Sequence, residues 1–382
     1  MKKILTLVFF FALNAAAGIS AADKLTVSGL LDSTLRLGEG GEGGFLYGVE
    51  EYANIRLRGR VGETAVFYGA FNCIAASGIS AAPLYSESGR NYAASIELER
   101  LYFHIANEKT GFDAGLMRLA FGYGIAFSPS DFFNPRNPLY PDARPQAILG
   151  GLFSFYPDND SNVRTFAAAP QDPFSSGGGG FRTGVSGERN FKKFSVQALY
   201  TFESPADDAS DNPEASGKPD GVHYFGASIK GDAFAGLWLD MLYSLNPALD
   251  AGASRGLSAS AGFDYSFSAL HLYFLCEYLF SGSYSVTSDT YKNNNYLYGS
   301  ARYSVSDFTN ISLSTLLCAD DASFTPAAGF STNIFQGFTL TFTAQTPLDR
   351  AVFTDGAKDE GELGPARSGA RFLFTVKAEL RF

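Results

Sequence analysis

The residues best placed to do chemistry in this chain are charges set two apart. Residues 54–61 read NIRLRGRV, so Arg56, Arg58 and Arg60 share one side of an extended segment while Ile55, Leu57 and Val61 take the other. The same spacing recurs. Glu97, Glu99, Arg182, Lys230, Asp240, Asp264, Glu277 and Arg302 each stand in the polar phase of a segment whose alternate positions are apolar, and Arg118 joins them where the phase is ambiguous. Charges spaced in this way form ladders or rings that attract one sign of ion and repel the other. Neighbours of opposite sign can instead neutralise one another as salt bridges, and the similar numbers of acids and bases leave both readings open.

Covalent and metal chemistry have no comparable pattern. His104, His223 and His271 lie far apart, none within a nucleophile motif or at metal-ligand spacing. Cys73, Cys276 and Cys318 are odd in number and widely separated inside apolar-alternating segments, so they read as small apolar side chains and not as a disulfide framework. The glycine run at 177–180 lacks a following Lys-Ser or Lys-Thr and is no phosphate loop. No enzyme, cofactor or metal is implied.

The elements that must position the charges are strands. Period-two alternation runs through nearly the whole chain after residue 22, from 24–37 to 336–346, in about 18 segments. In 269–280, Leu270, Leu272, Phe274, Cys276, Tyr278 and Phe280 oppose His271, Tyr273 and Glu277. The connections alternate between short turns, as near 107–111, and longer loops, as near 122–145, 204–220, 282–293 and 347–368. No apolar window is long enough for a membrane helix. The expected fold is all-β, a closed antiparallel transmembrane β-barrel of about 18 strands, or 16 if weak segments merge, with short periplasmic turns and longer extracellular loops. The weakest segments are 111–121 and 161–169. A bulge is expected near Arg100, because Ile96 and Leu98 share one phase while Leu101, Phe103 and Ile105 share the other.

Both ends fit that reading. Lys2 and Lys3, the apolar run 4–13 and the small residues at Ser20 and Ala22 read as a secretory signal peptide over 1–22, leaving 23–382 as the barrel domain. At the other end Phe372, Phe374, Val376, Ala378, Leu380 and Phe382 alternate with Arg371, Thr375, Lys377, Glu379 and Arg381. This pattern resembles the terminal signal of outer-membrane barrels, in which residues like Phe372, Phe374, Leu380 and Phe382 are read by the barrel-assembly machinery.

Charged residues make up 18% of the chain and aromatics 15%, against about 25% charged in a typical soluble domain. Lipid covering one face of every strand accounts for the deficit. The net charge of −10 becomes −12 without Lys2 and Lys3; no basic stripe dominates, which excludes nucleic-acid binding. Acids gather in 204–220 and 355–362, either as solvated loop tips or as sites for divalent cations bridging lipid headgroups.

The most distinctive segment is 117–144, MRLAFGYGIAFSPSDFFNPRNPLYPDAR, where Pro129, Pro135, Pro138 and Pro141 exclude a central strand. Arg118, Gly122, Tyr123, Gly124, Asp131, Phe132, Phe133, Asn134, Pro135 and Pro138 make it similar to a broad group of porin-like outer-membrane barrels, including alginate-exporter-like ones. There an Arg and a Gly-aromatic-Gly element end a strand and an FNP-containing loop follows; Phe121 or Tyr123 stands where Trp is usual. The resemblance implies a pore or exporter and names no solute. The loop either enters the lumen, with Arg136 and Arg144 near Asp131 and Asp142 at a constriction, or caps the barrel outside.

The resulting expectation is passive diffusion of small hydrophilic solutes or ions. The alternatives are a barrel anchor with adhesive loops, for which a longest loop of about 24 residues is short, and a substrate-specific transporter, which usually keeps an N-terminal plug. Alternation here starts at Lys24. The expected partners are outer-membrane lipid, the assembly machinery and the solutes. The lipid-facing phase reads as uniform, so it marks no interface between copies.

Overall fold

The computed structural model describes residues 25–40, 43–81, 92–134, 136, 138, 144, 147–169, 180–205, 221–245, 256–285, 290–348, 363 and 370–382. Eighteen strands are present: β1 (Thr26–Gly40), β2 (Phe45–Val61), β3 (Ala65–Gly78), β4 (Tyr92–Ala106), β5 (Thr110–Met117), β6 (Ile148–Asp158), β7 (Ser161–Ala168), β8 (Arg182–Asn190), β9 (Phe194–Glu203), β10 (Val222–Asp232), β11 (Gly236–Leu245), β12 (Gly256–Phe267), β13 (Leu272–Ser285), β14 (Thr290–Ser306), β15 (Thr309–Cys318), β16 (Phe324–Phe335), β17 (Phe338–Gln345) and β18 (Ala370–Arg381). Each pairs antiparallel with the next, and β18 pairs with β1. The cylinder therefore has no open edge, and the ladders satisfy the backbone amides of the strands.

Alternation sets which way each side chain points. On β2, Asn54 is buried inside while Ile55 is exposed outside; on β11, Asp240 is buried between the exposed Leu239 and Met241. Aromatic residues mark the two rims of the outer wall, among them Phe67 and Phe103 at one end and Phe45, Tyr47 and Tyr92 at the other. Thr26 and Phe382 lie at the short-turn end of the barrel.

The bulge falls at Glu99: Ala70 pairs with Arg100 but Phe71 with Leu98, so Glu99 and Arg100 both turn inward. The weak segments are real strands, β5 and β7. One connection is shorter than the sequence suggested: β13 and β14 stay paired from Leu272↔Tyr303 to Ser285↔Thr290, through much of 282–293. Polar residues there break the alternation that reveals a strand but not the ladder. Of the cysteines, Cys73 and Cys276 lie on the outward phase and Cys318 is buried inside.

Candidate constriction of the lumen

At Arg118 the chain leaves the wall after β5 and turns into the barrel. Leu119, Phe121 and Phe133 pack with Ile148, Phe166, Ala168 and Leu199 on β6, β7 and β9. Ala126 and Phe127 then reach Leu316 and Cys318 on β15, with Leu363. Apolar side chains on an inner wall that should face water are thus covered by the loop's own apolar residues.

Two wall carboxylates hold the loop backbone. Asp240 on β11 accepts the N–H groups of Tyr123 (3.0 Å) and Gly124 (2.9 Å) and the Ser128 hydroxyl (2.9 Å). Glu277 on β13 accepts those of Ile125 (3.1 Å), Ala126 (2.8 Å) and Phe127 (3.1 Å). Gln197 accepts the Gly122 N–H at 2.7 Å, and the Tyr123 hydroxyl donates to Glu188 at 2.9 Å. The Gly-Tyr-Gly element suits this close approach. Gly122 has φ +78°, and a Cβ there or at Gly124 would run into Asp240 or Glu277 and the loop itself.

The candidate residues separate into three groups. Asp240 and Glu277 face inward as their phase requires, yet both are 0% exposed, so they line the loop and not open water. Asp131 is likewise 2% exposed, packed behind the loop instead of facing an opening. Arg136 donates to the carbonyls of Gly124 and Ile125, and Arg144 reaches across to Glu50 on β2, its guanidinium 4.1 Å from the centre of the Tyr52 ring. Arg144 therefore pairs with the wall rather than with Asp131; Asp142 lies outside the described residues.

A second group is held in place by ion pairs or hydroxyl donors. Glu99 takes Arg100 (3.0 Å) and Arg118 (2.9 Å) together with the Asn54 amide. Arg182 pairs with Glu203 at 3.0 Å, Glu97 accepts from Ser95 at 3.1 Å, and Asp264 accepts from Tyr273 at 2.8 Å.

The third group has no ion-pair partner among the described residues. Arg56, Arg58 and Arg60 face inward, exposed. Arg56 donates to Asn54 at 2.5 Å and Arg58 lies 5.4 Å from the Tyr68 ring centre. Lys230 and Arg302 also face inward, exposed. Sequence reasoning missed Arg36, whose guanidinium bonds Glu50 (3.1 Å) and Ser80 (2.7 Å), although both Arg36 and Glu50 stand in the polar phase. On β18, Phe372, Phe374 and Leu380 face outward, and the ring of Phe382 lies over Gly29.

An 18-stranded closed antiparallel barrel with a long loop folded inside it has the fold of porin-like outer-membrane channels. Neither a protein-family model nor a curated protein sequence matches the chain. Solved structures do. Acinetobacter baumannii OccAB3 superposes with a TM-score of 0.57 at 10% identity, covering 95% of this chain and 100% of that one. Pseudomonas aeruginosa OccK2, solved with glucuronate, gives 0.59 at 8% identity, covering 94% and 98%. Salmonella typhi OmpF, solved with daunomycin, gives 0.52 at 13%, again covering 94% and 98%. At these identities the likeness is one of fold.

Proposed function

We propose that this protein is an outer-membrane channel for passive diffusion of small hydrophilic solutes and ions, exported with residues 1–22 as a cleaved signal peptide. In this reading the inward segment 118–134 is the narrow zone, and Arg56, Arg58 and Arg60 set the sign of the field beside it. The observation that carries the proposal is the pairing pattern. Arg100 and Arg118 pair with Glu99, Arg36 and Arg144 with Glu50, and Arg182 with Glu203, whereas the β2 arginines stay open to the lumen. Fixed cations on a water-filled wall raise the local concentration of anions.

The test is reconstitution into a planar bilayer under a tenfold salt gradient. The expected result is steady conductance with a reversal potential of anion preference. Replacing all three arginines by Gln should move that potential towards the cation side by an appreciable part of the roughly 59 mV that a perfectly selective pore would show. A folded barrel without conductance would overturn the channel reading. An unmoved reversal potential would remove the arginines from it.

A further inference from the structure

Glu277 and Arg136 stand on opposite sides of the loop, and two of its peptide groups join them. On the wall side the N–H groups of Ile125 and Ala126 both donate to one oxygen, Glu277 Oε2, at 3.1 and 2.8 Å. A trans peptide carries its C=O opposite its N–H, and no cis peptide occurs among the described residues, so the carbonyls of Gly124 and Ile125 point away from the wall. Those are the two carbonyls that take Arg136. Its Nη1 donates to Gly124 O and, at 3.3 Å, to Ile125 O. One carboxylate oxygen and one guanidinium nitrogen are thus bridged by the Gly124–Ile125 and Ile125–Ala126 peptide units.

The charges at the two ends of this bridge differ in exposure. Glu277 is 0% exposed and, among the described residues, has no Lys, Arg or His within ion-pair distance; the same holds for Asp240, which orients the neighbouring amides of Tyr123 and Gly124. A buried carboxylate without a cation is costly. Here its charge is met by amides, each of which turns its oxygen, the negative end of the dipole, to the other side, and hydrogen bonds at both ends of a peptide strengthen one another. Ile125, between the two carbonyls, is 44% exposed and Arg136 is exposed, so that side of the loop meets the water of the lumen. The other cations beside the loop are engaged elsewhere. Arg118 pairs with Glu99, Arg144 with Glu50 and Arg182 with Glu203, while Arg164 lies 5.2 Å from the centre of the Phe121 ring within electrostatic reach of Glu188. Asp131, buried behind the loop, is within such reach of Arg136 as well.

We propose that the carbonyls of Gly124 and Ile125 form a site for a guanidinium-type cation in the narrow zone, that Arg136 fills it as a tethered occupant, and that the buried charge of Glu277, relayed through the two peptides, holds the occupant there. With Arg136 in place this stretch of the lumen is basic; without it the same carbonyls attract cations from solution. The electrical signature of the site rests on the channel reading, whereas the coupling of Glu277 to Arg136 does not.

Arg136→Ala opens the site, and guanidinium chloride at millimolar concentration, far below denaturing levels, is the probe. In planar bilayers the variant should reverse at a potential shifted towards the cation side of the parent's, and guanidinium should bring that potential back while lowering the single-channel current with saturation. The parent, and Arg136→Ala combined with Glu277→Gln, should each need about tenfold more guanidinium or beyond for the same effect. Arg136→Gln supplies the electrical shift should the alanine disturb the loop. Urea midpoints of refolded protein, measured without a bilayer, should be less than additive for Arg136→Ala and Glu277→Gln, because either substitution breaks the relay. An Arg136→Ala channel indifferent to guanidinium overturns the site, as does a parent that responds equally; an undiminished response with Gln at 277, or additive midpoints, overturns the relay. A folded parent without conductance would sink the channel reading alone, and the midpoints would still decide whether Glu277 and Arg136 are coupled.

Discussion

At Asp131 burial and hydrogen bonding oppose each other, and burial wins. The carboxyl has the Asn134 amide at 3.5 Å, the Phe121 N–H and the nearby Arg136, all favouring its charged form, yet removal from water pushes its pKa up to about 6. A folded-state pKa above the unfolded one means that between about pH 4 and 6 the folded protein keeps a proton the unfolded chain has released. Its contribution to stability is therefore lost as pH rises through that window, and is level above it. Asp131→Asn should remove the slope and stabilise the barrel at pH 7 to 8, by something on the order of 2 kcal/mol. The check is the urea midpoint of refolded protein from pH 4 to 8, read as wild type minus variant. A difference that stays flat across the window would show that burial does not control this group. The FNP-containing segment drew attention to Asp131 in the sequence; that it would lie behind the loop depends on Phe121 and Phe133, whose inward packing no local pattern reveals.

At the scale of the element, the loop is an irregular segment without a strand's partners. Its amides at 122–127 have no ladder, and Gln197, Asp240 and Glu277 supply the acceptors instead. Each carboxylate satisfies at least two buried N–H groups, and an unsatisfied buried donor costs about 1 to 3 kcal/mol. Asp240→Ala with Glu277→Ala should therefore free the loop, while the ladders of β11 and β13 keep the barrel closed. The expected readout is a larger, noisier single-channel conductance from protein that still migrates as a folded barrel. Unchanged conductance would mean that the loop is not the narrow zone. Alternation was enough to say that Asp240 and Glu277 face inward. It could not say that they would be covered, because their partners lie 112 to 152 positions away along the chain.

For the whole molecule, closure was the most legible property, since the two-residue period recurs in nearly every strand from β1 to β18. The eye slides over single exceptions to such a period, and Glu51 is one: it stands in plain sight between Val49 and Ala53. Closure also makes the seam between β1 and β18 a place where folding and recognition can be told apart. There Lys377 pairs with Asp32 at 2.9 Å, and Gly29 and Phe382 exchange backbone hydrogen bonds at 2.8 and 3.1 Å. Those bonds belong to the backbone and survive Phe382→Ala, which removes only the ring over Gly29. If the terminal Phe is chiefly a mark read by the assembly machinery, Phe382→Ala should lower the amount of assembled barrel in cells several-fold, yet leave refolding of purified protein into detergent close to wild type. Deleting Phe382 takes the backbone bonds as well and should impair both. Equal losses for Phe382→Ala in the two settings would instead mean that the ring acts by closing the seam.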